Sequence, residues 1–199
     1  MNAFRCIPVL ISCLALASPA LAAGPVVILI GPPGSGKTTQ AEILKKERGM
    51  AVIAADDLIA RNPEAFAKAR HAAIQGADLR QDPALNDLVE GELGKLDLSK
   101  GVILDGYPAA KIQADFLAGL QEKLNLPKAI VIHLLVPDKV VRKRMAKQNA
   151  AEVEQRLKDY HREFDFARTY YPQADIRDVD GTKKPDAVAK EIRKLLPPK

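Results

Sequence analysis

The stretch "GPPGSGKT" (31–38) constrains this chain more than any other, because few backbones can accommodate it. It follows the apolar, β-branched run "VVILI" (26–30) and opens a helical pattern from Thr38 to Arg48. The spacing G-x-x-x-x-G-K-[ST], in the order strand, loop, helix, predicts a phosphate-cradling loop. Gly34 and Gly36 let the backbone turn inward, so successive N–H groups point at phosphate oxygens and the helix N-terminus adds its dipole. Lys37 then reaches the β- and γ-phosphates, and the Thr38 hydroxyl is placed to ligate Mg²⁺. The candidate ATP-binding residues are therefore Gly31, Gly34, Ser35, Gly36, Lys37, Thr38 and Thr39.

The remainder of the chain supplies a fold to match. "MAVIAA" (50–55), "GVILDG" (101–106), "AIVIHLLV" (129–136) and "IRDVDG" (176–181) are short apolar runs too continuous for half-exposed strands. With 26–30 they read as five buried strands of a parallel sheet. Helical patterns lie between them at 38–48, 56–95, 109–124 and 139–170, and 185–196 closes the chain. This alternation predicts an α/β fold of the P-loop NTPase type, a doubly wound parallel sheet with right-handed crossovers. There is one such domain, residues 23–199, with a helical insert at about 56–95 between the second and third strands.

Residues 1–22 read as a secretory signal. Arg5 gives a positive start, Cys6 to Leu16 is apolar, and Ala20-Leu21-Ala22 offers a small-residue cleavage site before Ala23. The apolar run is interrupted by Pro8, Ser12, Ser18 and Pro19 and is shorter than the ~20 residues of a membrane-spanning helix. Export, periplasmic or extracellular, without stable membrane association is the expectation. Both cysteines, Cys6 and Cys13, fall inside this leader, so the mature chain has no disulfide or thiolate metal site. The net charge of +5 suits an anionic ligand, but Lys and Arg are scattered, which argues against a nucleic-acid partner.

Two acidic positions follow predicted strands. Asp105, ending "VILD", falls at the carboxyl edge of a parallel sheet, beside the phosphate loop, where it can hold Mg²⁺. An aspartate at a strand end can also be a simple turn former or helix cap. Asp57, in "AADDLIAR" (54–61), suits a helix N-cap, an acceptor contact or a general base for a hydroxyl acceptor. His71, His133 and His161 have no metal-ligand spacing, and Tyr107, Tyr170 and Tyr171 read as packing residues.

Five separated segments resemble the adenylate kinase and nucleoside-monophosphate kinase family: the phosphate loop with "TQA" (39–41), "LDGYPAAKIQADFL" (104–117), "VPDKVVRKRM" (136–145), "EVEQRLKDYH" (152–161) and "VDGTKKPDAV" (179–188). The resemblance implies transfer of the ATP γ-phosphoryl group to AMP or another nucleoside monophosphate, with Mg²⁺, by a monomer. It implies that Gly106 and Gln113 contact the acceptor and that Gln113 reads its adenine. By the same resemblance Arg144 lies over the donor base and Arg156 touches the transferring phosphate, so Lys37, Arg144 and Arg156 form the catalytic set.

The chain also departs from the family pattern. Ala109 stands where an arginine normally grips the acceptor phosphate. Between Arg144 and Arg156 only "MAKQNAAEVEQ" (145–155) replaces the arginine-bearing lid. Thr38 and Thr39 stand where the family has a glycine and then a threonine, Ala55 replaces a threonine beside the acceptor base, and Ala60 an arginine, with Arg61 next to it. One well-placed arginine is worth on the order of 10³ to 10⁵ in phosphoryl-transfer rate, so these losses bear on activity. Two further readings stand beside the kinase: a P-loop kinase with a hydroxyl acceptor and Asp57 as base, and a non-catalytic ATP binder.

Overall fold

A computed structural model describes residues 23–67, 79–172 and 175–198. The leader with its two cysteines, His71 and the middle of the helical insert lie outside the described residues. The sheet has five parallel strands: β1 (Val26–Ile30), β2 (Ala51–Ala54), β3 (Val102–Asp105), β4 (Ile130–Leu135) and β5 (Ile176–Asp180), in the order β2-β3-β1-β4-β5. The strand carrying the phosphate loop is central. The helices are α1 (Lys37–Arg48), α2 (Ala55–Arg61), α3 (Ala84–Leu93), α4 (Lys111–Lys123), α5 (Asp138–Arg144), α6 (Ala150–Tyr170) and α7 (Pro185–Leu195).

The period-two alternation of a strand explains how continuous apolar runs serve both faces. Val26, Ile28 and Ile30 pack with Val102, Leu104 and Val131 into a core that includes Leu58 of α2, Val89 of α3, Leu117 of α4 and Tyr160 of α6. Val27 and Leu29 turn the other way with Ile103, Ile132 and Leu134, against Leu44 of α1 and Ile192 of α7. A smaller cluster of Val136, Val141, Met145, Val153 and Leu157 fastens α5 to α6.

The helical pattern expected over 139–170 is two helices. α5 stops at Arg144, and Asn149 starts α6 by accepting from the N–H groups of Ala151 and Glu152 at 2.9 and 3.3 Å. That side-chain cap satisfies N–H groups with no partner in their own helix, so the helix restarts there. The insert likewise divides into α2 and α3 at its described ends, with a 3-10 turn, Leu79–Gln81, leading into α3.

The core sets a first test. Leu104 is fully buried in the larger cluster, and Leu104→Ala should lower unfolding free energy by about 2–5 kcal/mol in urea titrations. A loss under about 1 kcal/mol would contradict the packing described.

Candidate active site

The loop after β1 takes its shape from its glycines. Gly34 and Gly36 have φ of 68° and 100°, a region that side chains with a Cβ avoid. At Gly31 a Cβ would fall 2.8 Å from Ser35 Oγ and 3.1 Å from Leu134 Cβ, so the loop closes only because that position is bare. The Ser35 hydroxyl is buried and has no protein hydrogen-bond partner among the described residues. Lys37 folds over the loop, its Nζ donating to the Gly31 carbonyl at 2.7 Å. Desolvation pushes the Lys37 pKa below its usual value, opposed chiefly by the Asp105 and Glu163 carboxylates. Thr39 is exposed on the first turn of α1.

Asp105 ends β3, in register with Leu29 of β1 and Ala54 of β2, which puts its carboxylate at the carboxyl edge beside the loop. The Thr38 hydroxyl donates to Asp105 Oδ2 at 3.1 Å. Burial raises the Asp105 pKa, while Lys37 and the Thr38 hydrogen bond pull it down. A hydroxyl and a carboxylate side by side are hard oxygen donors of the kind Mg²⁺ takes when phosphates complete its shell. Thr38 and Asp105 therefore fit the ion.

A cavity of 820 Å³ opens over this edge, with Lys37, Thr38 and Asp105 at one end. Asp56 and Asp57, from the start of α2, line another wall with Leu79, Arg80 and Gly106. The third wall is α6, which presents Arg156, Asp159, Tyr160 and Glu163. Their spacing of i, i+3, i+4 and i+7 is one helix face. Behind that wall, buried His133 bridges Asp178 Oδ1 at 2.7 Å and the Tyr160 hydroxyl at 2.8 Å, which fixes the middle of α6 against β4 and β5. It is a core residue, as its place in an apolar strand suggests.

The sequence candidates divide by location. Gly31, Lys37, Thr38, Asp57, Asp105, Gly106 and Arg156 share the cavity. Arg144 does not line it. Its guanidinium braces the loop from outside, donating to the carbonyls of Gly34 at 3.0 Å and Gly181 at 2.9 Å. Gln113 is fully buried: its Nε2 donates to the carbonyls of Arg80 at 2.7 Å and Asp82 at 3.1 Å, and its Oε1 accepts from Ala109 N–H at 2.8 Å. In this state its amide holds protein segments together and does not face the cavity. Arg61 is exposed and outside the cavity, its Nε on the Asp57 carbonyl. Arg80 and Glu163, which sequence reasoning did not select, are in it. Only the α6 spacing, seven residues from Arg156 to Glu163, hinted at the latter.

A phosphate loop, a hydroxyl–carboxylate pair and cations around one cavity define a P-loop phosphotransferase. The adenylate kinase family model matches residues 29–176. The chain is 35% identical over 184 residues to an adenylate kinase of Xanthomonas oryzae pv. oryzae (strain MAFF 311018), covering 85% of this chain and 98% of that protein. It is 36% identical over 181 residues to one from Xylella fastidiosa (strain 9a5c), covering 83% and 96%. It is 30% identical over 189 residues to one from Mesorhizobium japonicum, covering 85% and 96%. The chain belongs to the adenylate kinase family, and by class it is a nucleoside-monophosphate kinase.

The raised Asp105 pKa has a stability consequence. A carboxyl whose native pKa lies above its unfolded value stabilises the fold when protonated, and that contribution is lost as pH rises through the native value. At pH 7, in metal-free buffer, Asp105→Asn should therefore raise the melting temperature, since the amide carries no buried charge and can still accept from Thr38. The gain should shrink as pH falls toward 4. A lower melting temperature at pH 7 would contradict the burial argument.

Proposed function

We propose that the protein transfers the γ-phosphoryl group of ATP to AMP, forming two ADP, at this cavity. The observation that carries the reading is the meeting of Lys37, Thr38 and Asp105 at one end of a cavity whose walls also bear Arg156 and Arg80. An oxygen of the AMP phosphate forms the new bond to the γ-phosphorus, and the bond from that phosphorus to the β–γ bridging oxygen breaks. The acceptor oxygen is already anionic at neutral pH, so no side-chain base is required. The chain's own work is positioning and charge neutralisation, the main levers in phosphoryl transfer. The loop amides and Lys37 hold the donor phosphates, Arg144 keeps the loop in shape, and Arg156 stands over the transferring group. Thr38 and Asp105 would hold Mg²⁺, which when bound draws charge from the β- and γ-phosphate oxygens.

Asp57 faces the same cavity, which keeps a hydroxyl acceptor in view as the competing reading. The site is complete within one chain, so the proposed working form is a monomer, with no nucleic-acid partner. Among the described residues no helix is long and apolar enough to cross a membrane. We further propose export, with the leader cleaved after Ala22, on the strength of its three signal regions.

Two measurements check these statements. Chromatography of nucleotides after mixing residues 23–199 with Mg²⁺-ATP should show two ADP formed per ATP consumed, only when AMP is present. Lys37→Ala should lower that rate by at least about 10³-fold, and Asp57→Asn should leave it within about threefold. Tight ATP binding with no monophosphate turnover would overturn the kinase reading and favour a hydroxyl acceptor. For export, N-terminal sequencing of the protein recovered outside the cytoplasm should begin at Ala23. An unprocessed, cytosolic full-length chain would sink it.

A further inference from the structure

The loss of a cation at Ala109 leaves a chemical gap that the fold fills from elsewhere. Ala109 is buried, ends at Cβ and gives its N–H to Gln113, so the loop between β3 and α4 offers no charge there. Arg80, on the 3-10 turn before α3, lines the cavity together with Gly106, three residues before Ala109. Its stem lies over Gly106, where a Cβ would come within 4.0 Å of Arg80 Cδ. Its Nη1 donates to Glu163 Oε2 at 3.2 Å, on the α6 face that also carries Arg156. The Gln113 amide that takes the Ala109 N–H also donates to the carbonyl of Arg80 itself. One buried side chain thus ties the turn bearing the arginine to the segment that lacks one.

We propose that Arg80, oriented by Glu163 and anchored through its own carbonyl by Gln113, binds the phosphate of the acceptor nucleotide in this enzyme. The inference rests on the reading of AMP as acceptor and names the residue that grips it. A guanidinium carries five N–H donors in a planar fork, which lets one group serve a carboxylate and a phosphate oxygen together. Glu163 compensates the arginine's charge at this partly buried place before a nucleotide arrives. The location is apt: Arg80 lines the same cavity as Lys37 and the acidic start of α2, and its charge acts on both Lys37 and Asp105. Gln113 is then a positioning residue.

Titration calorimetry with AMP and with adenosine isolates the phosphate grip, because the two differ only in that group. With the full chain, AMP should bind more tightly than adenosine. Arg80→Gln should lose about tenfold to a hundredfold of AMP affinity, the range of a charge-assisted contact. Adenosine and Mg²⁺-ATP affinities should stay within about threefold, and the KM for AMP should rise in parallel. Arg80→Lys should fall between the two, and it keeps a charge should Arg80→Gln fold poorly. A preference for AMP over adenosine that survives Arg80→Gln would overturn the proposal, as would equal losses of AMP and ATP. AMP bound by the unaltered chain without turnover would contradict the kinase reading, while the role of Arg80 is still read from binding. No AMP binding by the unaltered chain would overturn both.

Discussion

The site depends on β1 lying between β3 and β4, with all strands pointing the same way. That order carries the phosphate loop and Asp105 to the same edge, and the 3.1 Å hydrogen bond from Thr38 to Asp105 is its local expression. Slip the pairing of β1 and β3 by one residue and Asp105 turns to the opposite face. Both faces of β1 are packed, so the register is fixed by burial on two sides. The Arg144 brace from α5 to the loop and to the turn after β5 then ties the donor end of the site to the far side of the sheet.

Much of this was legible in the sequence because it is local. Glycine spacing after an apolar run specifies the loop, and five apolar runs of strand length specify the sheet, with ends within one or two residues of those observed. What was not legible depends on distant partners. Arg80 reads as an ordinary insert residue until tertiary packing brings Glu163, 83 positions away, against it. Gln113 reads as a ligand contact by resemblance, and its hydrogen bonds to the carbonyls of Arg80 and Asp82 come from tertiary packing that the sequence does not display. The break between α5 and α6 is not displayed by the apolar pattern, and the Asn149 cap marks the restart.

The connection between α5 and α6 is short, residues 145–149. The cations that line the cavity among the described residues come from elements packed in the fold. Lys37, Arg80 and Arg156 face five lining carboxylates, Asp56, Asp57, Asp105, Asp159 and Glu163. An anionic nucleotide entering such a site needs extra positive charge, and Thr38 with Asp105 is where the fold has hard oxygen donors for it. Preorganised groups of this kind need little rearrangement at the moment of transfer. On the proposed reading, the acceptor phosphate is held by an arginine of the insert, Arg80, and not by the segment after β3.

The most direct test of that account is a crystal structure with a bisubstrate, two adenosines joined by five phosphates, and Mg²⁺. Lys37 on the donor-side phosphates, with Arg80 and Arg156 within hydrogen-bond distance of the acceptor-side phosphates, is the predicted result. Acceptor-side phosphates held by Arg61 or by solvent alone, with Arg80 still turned to Glu163 and away from them, would contradict it.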